Sequence, residues 1–340
     1  MKKTLLFLAA LVAGKGAIAQ IGNTDDYKKK LSYESKDTVA WVHSGLLQLG
    51  INQGFLHNWA AGGEVASMQI DGLFSGNITR LYHKTVWSNT LDANYSLFYA
   101  YSNGFVPRKV DDRIDFTSKY GTRIDTSNFF ITGLFNFKSQ FTNGYDYSVP
   151  GWDTMSTSKF LSPAYLTLAL GLEYRKGPAL SLFFSPVAAR LTMAQPYYTT
   201  RKPEGAFGIE YGKKSRFELG AYFTGRWQHD FSKNISYKTR VDFYANYLAK
   251  DVKDAAGNVV KKDNPGNIDW LWDNLVQVKL GKYFGLTLAV TAIYDNDIPY
   301  DNTYVDATSG ATVNKDEPGT GLGWWQIKQV MTLGFTYRFK

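Results

Sequence analysis

The 340-residue sequence contains no cysteine. That excludes a disulfide scaffold, a thiolate-held zinc, a cysteine nucleophile and a lipid anchor on an N-terminal cysteine. Histidine is scarce, at four residues. No stretch after the N-terminus approaches the roughly 18 consecutive apolar residues of a spanning helix, and the mean hydropathy is −0.28. A polytopic helical membrane protein is therefore excluded. There is no Walker loop and no dinucleotide fingerprint. The net charge of +8 is spread along the chain and gives no reason to expect a nucleic-acid partner. What is abundant is aromatic: 23 Tyr, 22 Phe and 9 Trp, together with 31 Gly.

The first twenty residues read as a secretory signal peptide. Lys2 and Lys3 form the basic start, Thr4–Ala13 the short apolar run, and Ala17-Ile18-Ala19 the small-residue cleavage site before Gln20. Cleavage between Ala19 and Gln20 removes three cations and no acid, leaving +5. Residues 20–38, with Lys28-Lys29-Lys30 at the centre, read as a polar periplasmic lead-in, and residues 39–340 as one domain.

The rest alternates with period two. Near the C-terminus Trp325, Ile327, Met331, Leu333, Phe335, Tyr337 and Phe339 share one parity. Gln326, Lys328, Thr332, Gly334, Thr336 and Arg338 share the other. Alternation places the two sets on opposite faces of a strand. The same pattern recurs around Trp87–Tyr99, Phe129–Phe141, Phe217–Trp227, Ile235–Tyr247 and Trp270–Leu280. A soluble sandwich also alternates, but its strands average about 5 or 6 residues. Here the runs are much longer, aromatics gather at their ends, and a signal peptide precedes them. These features favour a transmembrane barrel with its apolar face outward.

Twelve strands are predicted, near 41–53, 65–80, 85–100, 110–120, 127–142, 161–175, 179–194, 215–231, 235–249, 268–282, 286–295 and 325–339. Their connections alternate short and long, as an even antiparallel barrel with periplasmic turns and external loops requires. Residues 204–213 are the place where an extra hairpin would raise the count to fourteen. The fold class is thus all-β, a single antiparallel transmembrane β-barrel of about twelve strands.

Three elements carry a resemblance: Asn58-Trp59-Ala60-Ala61-Gly62-Gly63 after the first strand, the pairs Ser162-Pro163 and Ser185-Pro186, and the ending Gly334-Phe335-Thr336-Tyr337-Arg338-Phe339-Lys340. Together they make residues 40–340 similar to an outer-membrane barrel family of Bacteroidota without assigned function. The resemblance implies an outer-membrane location and supplies no catalytic residues. Lys340 after Phe339 departs from the usual aromatic terminus of such barrels.

The polar parity gives a lumen lined by Arg113, Asp115, Lys119, Glu173, Arg175, Arg216, Glu218, Arg226, Lys238, Arg240, Asp242, Asp273, Lys279, Lys328 and Arg338, ten cations against five acids. Two readings follow. One is a narrow, porin-like passage favouring small anions. The other, favoured because a twelve-strand lumen leaves little room for long side chains, is a network of ion pairs that fills it.

No catalytic residues, metal site or cofactor are expected. His43, His57, His83 and His229 offer no nucleophile–base pair, so an outer-membrane lipid hydrolase ranks third. The acidic run Asp295-Asn296-Asp297 with Asp301 and Asp306 lacks the glycine of a calcium loop. Expected partners are outer-membrane lipid, the barrel-insertion machinery and envelope proteins reached through the Tyr/Trp/Pro-rich external loops. The leading role is an envelope transport or accessory component.

Overall fold

The computed structural model describes residues 39–57, 64–147, 149–177, 179–253, 257–295, 303–305, 312–314 and 325–339. The signal peptide, its cleavage point at Ala19-Gln20, the 20–38 segment and most of the acidic 295–306 run lie outside the described residues.

Twelve antiparallel strands close into a barrel. They are β1 (Ala40–Phe55), β2 (Ala66–Tyr82), β3 (Thr85–Ala100), β4 (Arg108–Arg123), β5 (Phe129–Ser139), β6 (Ala164–Lys176), β7 (Leu180–Met193), β8 (Ser215–Asp230), β9 (Ile235–Asn246), β10 (Ile268–Lys279), β11 (Phe284–Tyr294) and β12 (Gln326–Phe339). Each strand pairs with its neighbours in sequence, and β12 returns to β1. The predicted count and order hold, with boundaries displaced by a few residues; the aromatic run at 127–142, for example, is strand only over Phe129–Ser139. Short turns and long loops alternate at the two ends of the barrel.

Residues 204–213 add no strand pair to the wall. They form one isolated bridge, Ala206 with Ile209, around Gly205 at φ 81°, and Ile209 is fully buried. A Cβ on Gly205 would lie 1.9 Å from the Ile209 carbonyl oxygen, so the fold-back needs glycine there.

Alternation decides the two faces. In β6 Leu168, Leu170 and Leu172 are exposed, whereas Thr167, Ala169 and Glu173 are buried. Every strand contributes a large exposed apolar side chain: Ile51, Ile70, Trp87, Tyr120, Ile131, Leu170, Val187, Phe217, Ile235, Trp272, Phe284 and Met331. A continuous apolar exterior suits lipid, and a closed barrel leaves no lipid-facing sheet edge where its ladders are complete. Aromatics gather at both ends. Trp227, His229, Phe231 and Tyr237 pack together near the short turns; Phe243, Trp270, Tyr294 and Trp325 do so near the long loops.

Two interruptions shape the wall. The register of β7 slips against both neighbours around Ser185 to Ala188. Pro186 has no N–H to give a ladder, so an extra residue is accommodated there. The Ser185 hydroxyl lies 2.8 Å from the carbonyl oxygens of both Leu170 and Val187, supplying a donor where the ladder breaks. Gly171 lies against this bulge; a Cβ on it would meet the Phe184 carbonyl oxygen at 2.0 Å.

The other interruption is the closing seam. β1 and β12 pair at only six positions, Gly45–Gly50 with Phe339–Gly334, whereas other neighbours pair at ten to sixteen. Ile51–Phe55 and Gln326–Leu333 continue toward the long-loop end without pairing to each other. Strand approach at this seam depends on glycine. A Cβ on Gly334 would lie 2.1 Å from the Leu49 carbonyl oxygen, and the Phe339 ring occupies the place of a Gly45 side chain.

Candidate functional site

The lumen face carries the candidate site, and its charges lie in three levels. The central level is a chain of contacts across the barrel. Arg113 of β4 makes a bidentate contact with Asp273 of β10, at 2.8 and 3.0 Å. These strands lie six positions apart on the ring of twelve, so the pair crosses the lumen. Arg113 also meets Asp115 at 3.1 Å. Arg240 bridges Asp115 at 2.8 Å and Asp242 at 2.6 Å, and Lys138 reaches Asp242 at 3.3 Å. Neutral donors complete the coordination: Asn136 Nδ2 to Asp115 Oδ1 at 2.6 Å and Thr291 Oγ1 to Asp273 Oδ1 at 2.7 Å.

Toward the short turns, Glu173 is fully buried. It accepts from Lys119 at 3.1 Å, Arg175 at 2.7 Å, Ser181 at 2.6 Å and Thr132 at 3.0 Å. Toward the long loops, Arg190 forks onto Glu218 at 2.7 and 2.9 Å and reaches Asp269 at 2.7 Å. Arg216 joins the same carboxylate at 3.3 Å and meets Asp263 at 3.5 Å. Arg226 donates to Thr117 across the lumen at 3.2 Å.

Such pairs cost desolvation that their attraction does little more than repay. Removing one partner, however, strands a buried charge. Several of them join strands that are not neighbours in the wall.

Several of the predicted lumen residues lie away from these levels. Lys328 sits at the long-loop end and meets Asp111 at 2.6 Å. Lys238 and Lys279 lie near the short-turn rim, Lys238 exposed. Arg338 is at the same rim on β12, and its side chain is outside the described portion. The inward parity also holds Asp71, Asp92, Asp111, Lys138, Arg190 and Asp269, four acids and two cations that narrow the cationic excess of the sequence-derived set.

Phe130, Leu134, Phe183, Tyr222 and Tyr244 are also inward and buried, and most of them join one apolar cluster. Their position on the charged parity was the available signal. Cations rest on these rings: Arg190 lies 4.0 Å from the Tyr244 centroid, and Lys119 5.5 Å from that of Phe183.

The long loops are tied to one another and to the lumen. In the 140–163 loop, Gly144–Tyr145 pairs with Ser156–Ser158. The 195–214 loop begins with a helical turn, Pro196–Thr199, that buries Tyr198 and Thr199. The two loops meet through Ser156 and Tyr198 hydroxyls at 3.1 Å and through Arg201, which donates to the Ser156 carbonyl. Arg216 reaches up from β8 to the Gly208 carbonyl oxygen at 3.2 Å. Elsewhere at this end, Glu64 accepts from the Ser102 amide at 2.9 Å and its hydroxyl at 2.6 Å; these bonds hold its carboxyl below the ordinary glutamate range.

His43 lies on β1, His57 just beyond it, His83 in the first short turn and His229 against Trp227. These positions do not bring the four histidines together. Among the described residues no group of three potential metal ligands is found.

Residues 51–145 match a family described as "Protein of unknown function (DUF3078)". That match and the closed twelve-strand wall fit an uncharacterised barrel domain of outer-membrane type. Among solved structures, the translocator domain of autotransporter NalP from Neisseria meningitidis is similar at 10% identity and a TM-score of 0.34, covering 93% of each chain. BamA from Haemophilus ducreyi lacking POTRA domains 1–3 is similar at 9% identity and a TM-score of 0.22, covering 88% of this chain and 70% of that one. Neither likeness carries a functional inference. The curated proteins give no significant match.

Proposed function

We propose that this chain is an integral barrel of a bacterial outer membrane, closed to free diffusion by its own ion pairs. Its role is that of a non-catalytic transport or accessory component of the envelope, exercised through its external loops. The short turns then face the periplasm and the long loops the exterior. The observation that carries the reading is the Arg113–Asp273 pair between strands on opposite sides of the barrel. A pore would need that level hydrated and open, yet an arginine and an aspartate from opposite walls meet there. The apolar exterior and the signal peptide read from Met1–Gln20 support the location.

The test is conductance of the purified, heat-modifiable barrel in a planar lipid bilayer. A silent, folded barrel supports the closed reading, and a stoichiometric partner in a pull-down from the envelope would then identify the assembly it serves. Discrete conductance steps would overturn it. The alternative is a narrow anion channel, favoured by Lys238 and Lys279 near the short-turn rim. It expects anion-biased reversal potentials that shift when Arg216 or Arg240 is replaced.

A further inference from the structure

A cleft of about 300 Å³ opens at the long-loop end, between the start of β4 and the 140–163 loop, with Lys328 of β12 also lining it. Its charges are already satisfied by one another. Lys109 meets Asp112 at 2.9 Å and Lys328 meets Asp111 at 2.6 Å, so the lining sums to zero. Asp112 is further occupied by the amides of Phe141 and Thr142.

What remains available is neutral. The Gln140 amide nitrogen is buried and has no hydrogen-bond partner, although its oxygen accepts from Ser158 at 3.2 Å. The Tyr147 hydroxyl oxygen accepts from the Lys109 amide at 2.7 Å, which leaves its own proton to donate. Trp152 braces the rings of Tyr145 and Tyr147, with centroids at 5.5 and 4.9 Å. Gly144 lets the two arms of the loop approach, since a Cβ there would meet the Ser158 hydroxyl.

We propose that this cleft binds a neutral saccharide unit. An apolar ligand would desolvate the polar lining without replacing its hydrogen bonds. A free anion would meet Asp111 and Asp112, and a free cation would meet Lys109 and Lys328. A neutral polyhydroxylated ring offers acceptors to Gln140 and Tyr147, donors to the carboxylates, and C–H faces to the tyrosines. The volume is at the lower end of the range for ligand pockets, about 300–1,000 Å³, which suits one or two sugar rings. Because the site lies at the rim, it is independent of whether the lumen conducts.

The test is saturation-transfer NMR on the full folded barrel in an amine-oxide detergent, which carries no sugar headgroup. The probes are methyl glucoside, methyl galactoside, maltose and lactose, with methyl phosphate and choline as the anionic and cationic comparators. Transfer to at least one sugar is expected. Its affinity should fall about fivefold, the worth of one hydrogen bond, in both Gln140→Ala and Tyr147→Phe. Heat-modifiability checks that each variant is folded. If neither variant folds, competition between the bound sugar and a second sugar at the unaltered barrel replaces them, and transfer that does not compete overturns the proposal. So do silence from all four sugars, undiminished transfer in the folded variants, or tighter binding of methyl phosphate or choline.

Discussion

The two sides of the lumen are built from different chemistry. Along β4 to β10 the inward face carries ion pairs and aromatic rings, and its contacts join strands several positions apart. Along β1 to β3 the inward face carries small hydroxyl and amide groups and the carboxylates Asp71 and Asp92, bonded mostly to the next strand: Ser75 to Asp92 at 2.6 Å, Asn77 to Thr90 at 3.0 Å, Ser96 to Asp71 at 2.6 Å. The charged side therefore fixes how far apart opposite walls stand. The side of hydroxyls, amides and carboxylates only reinforces ladders that already exist, and it borders the seam with the shortest ladder. Gln48 is the exception. Fully buried on β1, it donates to the Thr332 carbonyl oxygen at 3.1 Å and accepts from the Thr287 hydroxyl, tying β1 to β12 and β11.

Replacing Asp115 should break the charged side most severely. Asp115→Ala removes the carboxylate shared by Arg113 and Arg240, leaving Arg113 only Asp273 and Arg240 only Asp242 and setting the two guanidinium groups against each other; a loss of about 3–5 kcal/mol is expected in urea unfolding of the detergent-folded barrel. A loss below about 1 kcal/mol would mean that water already solvates this level. On the β1–β3 side, Gln48→Ala should cost about 1–3 kcal/mol, with faster hydrogen exchange confined to β1 and β12. Exchange spread evenly around the barrel would contradict a weak seam. A smaller effect is expected from Arg190→Lys, which keeps the charge but loses the fork onto Glu218, at about 1 kcal/mol by the same unfolding assay.

The smallest effect is a pH response at the loops. Glu64 has a depressed carboxyl, so its contribution is fully present above the ordinary glutamate range and is lost as pH falls through its lowered value. The Ser102 amide should exchange faster relative to neighbouring loop amides on acidification, and Glu64→Gln should remove that dependence. An unchanged profile in the variant would assign the response to another group.

The strand count, the order of turns and the outward face were legible because period two persists over whole strands. Leu168, Leu170 and Leu172 alone set the facing of β6. The Ser185-Pro186 pair was visible as a marker, but not as the bulge that shifts the register of β7. The lumen partners were not legible. Nothing in the spacing of Arg113 and Asp273, separated by 160 residues, says that β4 stands opposite β10; only closure defines opposition. The inward aromatics were hidden for a related reason. Phe183, Tyr222 and Tyr244 share the polar parity, where a pattern of hydropathy reads them as exceptions rather than as a cluster.

The separation of Arg113 from Asp273 also has a meaning in time. Hairpins such as β2–β3 can form as soon as adjacent strands exist, because the loop to be closed is short. The cross-lumen pairs have no geometry until both walls are present. While the sheet is open their charges remain hydrated, and the water is surrendered only when the cylinder shuts. Closure is thus also the step at which these side chains exchange water for one another, so a missing partner is felt at completion rather than at initiation.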